Sequence, residues 1–178
     1  MKKNLIHLIL AGLFAAMVTV GTLLIQVPTP TKGYIHIGDT LVYLSGILLG
    51  PVYGFLAAAF GSFLADFFSG YLIYAVPTFM IKGLDALAVG LVYRGLTRGG
   101  GSFGKKVFAF SISVALGTLI MVSGYYIYES ALYGFKGALA GILPNIIQGI
   151  GGGILALPVL LALEKSGITH KKIMNPME

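Results

Sequence analysis

The sequence predicts an all-α integral membrane protein: six transmembrane helices in one compact bundle, both termini cytoplasmic, and a long first extracellular loop. Three observations predict it. Of 178 residues, 57% are hydrophobic and 10% charged, where soluble domains carry about a quarter charged residues. Long apolar runs alternate with short basic clusters. Those clusters sort to one side of a membrane only if the chain crosses six times. The 26 glycines suit spans that pack closely through small residues, and no polar stretch is long enough for a second domain, so residues 1–178 read as one membrane domain. Cysteine is absent, which removes thiol catalysis, disulfides and thiolate metal sites. The net charge of +6 comes from the clusters that orient spans in a bilayer, and no nucleic-acid-binding motif accompanies them.

The first span is predicted at 5–26, after Lys2 and Lys3, because it is long enough to cross a hydrocarbon core of about 30 Å at about 1.5 Å per residue. A secretory signal would have a shorter apolar region and a small-residue cleavage site, so a retained span is the expectation. Within it Ala11 and Ala15 stand four apart on one face, with Gly12 and Ala16 beside them. Such a strip lets another backbone come close, either inside the bundle or on a partner. Residues 27–38 hold two prolines, two glycines, Lys32, Tyr34 and His36 and read as a structured loop. Asp39 or Thr40 is placed to cap the helix that follows.

From Thr40 to Ala65 there are 26 residues without a charge, broken by Gly50-Pro51. Read as one span, this stretch leaves three Lys/Arg inside and eight outside, with Lys82 within a span. Read as two, 39–49 and 51–68, it leaves nine inside and two outside. The positive-inside bias selects two. The first of them is then too short, since 11 residues cover only about 17 Å as a helix. The preceding loop must dip inward, and irregular backbone at that depth is tolerated only when buried in protein or lining a cavity.

The span 51–68 has a small-residue surface of Gly54, Ala57, Ala58 and Gly61, and Asp66 near its outer end. An aromatic loop, 69–77, carries Tyr71 and Tyr74. The fourth span, 78–96, contains Lys82 and Asp85 one turn apart. Each charge costs roughly 2.5–3.5 kcal/mol at the membrane centre, so these residues pair with each other, pair Lys82 with Asp66, or reach a ligand in a polar cavity. The basic loop RGLTRGGGSFGKK lacks the GxxxxGK[ST] pattern of a phosphate loop. The fifth span, 107–128, brings Tyr125, Tyr126, Tyr128 and Glu129 to the outer surface, as an interfacial belt or as cavity wall. The sixth, 137–163, spaces Gly137, Gly141, Asn145, Gly149 and Gly153 every four residues. Asn145 and Gln148 offer amides to a cavity or to a neighbouring helix. His7, His36 and His170 are scattered, and no Ser/His/Asp or metal-ligand grouping assembles. The tail from Glu164 is basic and expected inside.

With six spans in fewer than 200 residues, a long first outer loop and an AxxxA strip at Ala11 and Ala15, the chain resembles the substrate-binding S-components of energy-coupling factor (ECF) vitamin transporters. The segment IHIGDTLVYLSGILLGPVYGFLAAAFGSFLADFFSGY is similar to their second and third spans. The resemblance implies that Ala11 and Ala15 dock on a transmembrane coupling subunit that works with two ATPase subunits. It also implies a vitamin held in the outer half, beneath the first loop and among the last three spans, in a protein that topples to release it inside. Carried onto this sequence, the contacts expected are Tyr34 and His36, Tyr74, Lys82 and Asp85, Tyr125 and Glu129, and Asn145 and Gln148. The absence of tryptophan departs from members that stack their vitamin on one, leaving tyrosine or phenylalanine for that task.

The function expected is therefore high-affinity capture of a small water-soluble vitamin or precursor in a bacterial cytoplasmic membrane. No chemistry on the ligand, no cofactor and no metal are expected. The intramembrane carboxylates, one lysine and two amides suit a pyridine or pyrimidine better than a cobalamin. The competing readings are an intramembrane enzyme using Asp66, Asp85 or Glu129 as acid or base, and a stand-alone facilitator or channel. Nothing in the sequence binds ATP, so energy must come from partners.

Overall fold

The computed structural model describes residues 2–168 and Ile173; the expectations for His170 and for the rest of the tail lie outside the described residues. Helix α1 (Lys2–Leu24) leads into strands β1 (Gln26–Pro28) and β2 (Tyr34–His36), followed by α2 (Asp39–Leu49), α3 (Pro51–Phe68), α4 (Leu72–Thr97) and α5 (Phe103–Lys165). The expected first loop is a small antiparallel hairpin, pairing Gln26 with His36, Val27 with Ile35 and Pro28 with Tyr34. Among the described residues, four helices are long and apolar enough to cross a membrane: α3, α4, α5, and α1 from Asn4 onward.

Helix α2 is the exception in length and the centre of the packing. Nine of its 11 residues are buried, as expected of a helix apolar all round. Val42, Tyr43, Leu44, Ile47 and Leu48 pack with Val18, Ala58, Ala86, Val89, Ala156 and Leu160 in the main core. At Gly46 a Cβ would fall on the backbone carbonyl of Ala86, so α2 and α4 touch backbone to backbone. The turn expected at Gly50-Pro51 is present: Gly50 has φ 92°, ψ 174°, and Pro51 starts α3 where its missing N–H would be unbonded anyway. A side chain at Gly50 would strike the Arg94 guanidinium. Glu164 gathers the Tyr93 hydroxyl at 2.8 Å and Lys106 Nζ at 2.7 Å, and the hairpin occupies the opposite end of the bundle.

The run of α5 is 63 residues, about 95 Å if straight, and it folds back at Gly134 (φ 75°, ψ 161°). The glycine ridge shows the antiparallel return. A Cβ at Gly141 would meet Glu129, one at Gly149 would meet Thr118, and one at Gly153 would meet Val114.

Three expectations need correction. Neither Asp39 nor Thr40 caps α2; Gly38 stands at the cap without a side-chain bond, because the Asp39 carboxylate is engaged elsewhere. Helix α4 begins at Leu72 rather than near 78, taking Tyr74 and Pro77 out of the expected loop. Pro77 lacks the N–H that would bond the Ile73 carbonyl four residues back, and the Tyr128 hydroxyl donates to that carbonyl instead. Finally, Ala11 and Ala15 are only 4% and 8% exposed. Ala11 packs on Leu49 and Ala57, and a Cβ at Gly61 would strike the Ala15 carbonyl. Their strip serves packing against α3, whereas Gly12 and Ala16 lie exposed one step further round the helix.

Candidate ligand-binding site

Beneath the hairpin lies a narrow cavity of about 30 Å³, lined from the loop by Thr29, Thr31, Gly33, Tyr34 and His36, and from the helices by Asp66, Tyr74, Thr78, Tyr125, Glu129, Gly141, Pro144 and Asn145. Six of the nine expected contacts line it: Tyr34, His36, Tyr74, Tyr125, Glu129 and Asn145. The α3 terminus supplies Asp66, whose Oδ1 accepts from the Tyr34 hydroxyl at 2.7 Å. Burial and the adjacent carboxylate raise the Tyr34 phenol well above its ordinary range, so it stays a donor. Because α4 starts early, Tyr74 reaches inward, donating to the Thr31 carbonyl at 2.5 Å and lying 3.3 Å from Glu129 Oε1.

Lys82, Gln148 and Asp85 do not line the cavity. Lys82 is fully buried beneath it, with Nζ 2.5 Å from Asp39 Oδ1 and beside Met121 Sδ at 2.7 Å. Gln148 completes the arrangement: its Nε2 donates to Asp39 Oδ2 at 3.0 Å, and its Oε1 accepts the His36 N–H at 3.0 Å. One amide thus ties the hairpin to the buried ion pair. The His36 ring accepts from the Gly38 N–H through Nδ1 at 3.0 Å, which leaves the neutral ring's proton on Nε2. Burial pushes this ring down to about 4 against the upward pull of Asp39, so it is neutral near pH 7. Asp85 lies a layer further in, at 0% exposure, where Gly117 leaves room for its carboxylate beside Tyr43 and Val89.

Sequence reasoning missed Asp39 as the partner of Lys82. It also missed Thr29, Thr31 and Thr78 as lining residues. The signal for Asp39 was present in the requirement that the loop dip inward. That requirement carries the start of α2 to the depth of a buried lysine. Thr29 and Thr31 gave no signal, since their position depends on the hairpin register, and Thr78 stood at the expected start of a helix that in fact begins at Leu72.

An apolar helical bundle with a short buried helix, closed at one end by a hairpin over a polar cavity, defines an integral-membrane ligand-binding protein. Among the described residues no group of three or more His, Cys, Asp or Glu could hold a metal ion. A sequence profile of the ECF-type riboflavin transporter S component matches residues 2–165. Among curated proteins, the chain is 36% identical over 139 residues to an "uncharacterized protein in gap 3' region" of Pyrococcus woesei, covering 78% of this chain and 88% of the relative. It is 29% identical over 171 residues to the thiamine precursor transporter HmpT of Lactococcus lactis subsp. cremoris, covering 95% and 94%. Among solved structures, one described as the S component of a bacterial ECF transporter superposes with TM-score 0.67 at 20% identity, over 90% of this chain and 96% of that one. The chain belongs to the ECF-type riboflavin transporter S component family. It is a transport protein of the membrane, in a family whose members are not enzymes.

Proposed function

We propose that this chain captures one small water-soluble vitamin or vitamin precursor from outside the cell and delivers it inward with an ATP-driven ECF module, performing no chemistry on it. In this reading the chain crosses a cytoplasmic membrane six times. Both termini and the Gly50-Pro51 turn face the cytoplasm, and the hairpin faces out. The observation that carries it is the polar cavity beneath the hairpin, in a chain with four described helices long and apolar enough to cross a membrane. Similarity to HmpT over 95% of the chain supports a vitamin precursor as cargo. A cavity of about 30 Å³ holds about one water molecule, whereas ligand sites run to about 300–1,000 Å³. Loading therefore requires the hairpin to move outward, breaking the bonds from Tyr34 to Asp66 and from His36 to Gln148.

Calorimetry of the purified chain against a vitamin panel is expected to give one tight ligand at one-to-one stoichiometry. Silence across the panel from a demonstrably folded protein would overturn the proposal. In liposomes, uptake is expected only when the coupling subunit and its ATPases are present; uptake by the chain alone would establish a facilitator instead.

A further inference from the structure

The geometry points to a binding site for one anionic phospholipid in the seam between the two arms of α5, with its headgroup at Lys106 and Lys165 and one acyl chain along the seam. The site is remote from the hairpin and does not depend on what the hairpin cavity holds. Glycines draw the arms together: a Cβ at Gly153 would strike Val114, and one at Gly149 would strike Thr118. Outside these contacts the seam opens into a hollow of about 430 Å³, walled by Phe110, Val114 and Ala115 on one arm and by Gly153, Ile154 and Leu157 on the other. Ala115 and Ile154 are exposed, so the hollow opens sideways toward the bilayer. A second hollow, of about 340 Å³, lies between Lys106 on the first arm and Leu161, Glu164 and Lys165 on the second. Lys106 stands four residues before Phe110, and Leu161 four after Leu157. The two hollows therefore share one face of each arm and follow one another along the seam.

Length selects the occupant. From Lys106 to Thr118, where the larger hollow ends, the chain rises 12 residues, about 18 Å of helix. Half a hydrocarbon core is about 15 Å, so the seam matches an acyl chain of one leaflet and is too short for a spanning helix of a partner. Charge selects the headgroup. Glu164 is only 15% exposed at its side chain and is occupied by the Tyr93 hydroxyl at 2.8 Å and by Lys106 Nζ at 2.7 Å. Lys165 is exposed, and Lys105 beside them, also exposed, reaches only the Gly100 carbonyl at 3.3 Å. One carboxylate thus faces three ammonium groups at the mouth of the seam, and basic pockets between membrane helices hold anionic headgroups. An acyl chain gains little by leaving lipid for an equally apolar groove. Discrimination among lipids must therefore come from the lysines, while the seam supplies packing.

The test is native mass spectrometry of the full purified chain offered equal amounts of phosphatidylglycerol and phosphatidylcholine with identical acyl chains. One phosphatidylglycerol per chain is expected to be retained, about tenfold or more over phosphatidylcholine. Lys105→Gln combined with Lys165→Gln is expected to remove that preference. Ala115→Phe, which fills the hollow, is expected to cut retention of phosphatidylglycerol by about tenfold; should it fail to fold, Ile154→Trp on the facing wall serves the same purpose. Equal retention of the two lipids by the wild-type chain would overturn the inference, and so would unchanged retention of phosphatidylglycerol in the folded variants. Glycerol phosphate bound as tightly as the whole lipid would show an anion site without a chain and overturn it. A dimer that Ala115→Phe dissociates would assign the seam to a second copy of this chain, with the same result.

Discussion

Lys82 and Asp39 stand 43 positions apart in the sequence and 2.5 Å apart in the fold, both at 0% exposure. Removing one member of such a pair strands the other charge in a medium that cannot solvate it, at a cost of about 3–5 kcal/mol. Lys82→Met is therefore expected to destabilise the detergent-solubilised protein by about that much. Lys82→Met combined with Asp39→Leu is expected to recover much of the loss. Thermal unfolding of the two single variants and the double variant measures this, and simple additivity would show that the pair does not act as a unit. At this scale the sequence was partly legible. It marked Lys82 as too expensive to leave unpartnered, but offered Asp85, one turn away, and Asp66. Asp39 was read as a helix cap because it follows a loop. Only the three-dimensional dip of that loop brings its carboxylate to the lysine.

Among the elements, α2 was legible as a separate helix because the charge count required a turn at Gly50-Pro51, and its brevity required the loop to descend. Its glycine contacts required coordinates. At Gly46 a Cβ would meet the Ala86 carbonyl backbone, and at Gly90 the Gly46 carbonyl; neither obstacle is a side chain that can swing aside. Gly46→Ala is expected to cost about 1–3 kcal/mol by overpacking. At Gly151 nothing lies within 4 Å of the added carbon, so Gly151→Ala is expected to be neutral or to stabilise by up to about 1 kcal/mol through helix propensity. Equal effects in thermal unfolding would refute the backbone contact between α2 and α4. The start of α4 was misplaced because Pro77 reads as a breaker. The Tyr128 hydroxyl at the freed Ile73 carbonyl lets the helix pass through it, and no local pattern announces that bond.

For the whole molecule, composition made the membrane class legible, but not which face of α1 meets other helices. Neighbouring residues on a helix differ by about 100° in direction, so strips at Ala11/Ala15 and at Gly12/Ala16 look alike in sequence and point to different surroundings. With the first strip buried on α3, docking on a coupling subunit is expected to use the second. Gly12→Leu with Ala16→Leu should abolish uptake by the assembled transporter while vitamin binding by the isolated chain persists. Ala11→Leu should lower the unfolding temperature of the isolated chain itself. Loss of binding in the Gly12/Ala16 variant would reject this division of the two faces.

The hairpin that closes the cavity also bears on time. Two of the bonds that hold it are Tyr34 to Asp66 and the His36 N–H to Gln148, and on the proposed function both break before a ligand enters or leaves. Capture then draws on only the open fraction of molecules, which lowers apparent affinity by that fraction. The same two bonds delay departure. A latch of this kind trades speed of arrival for length of stay.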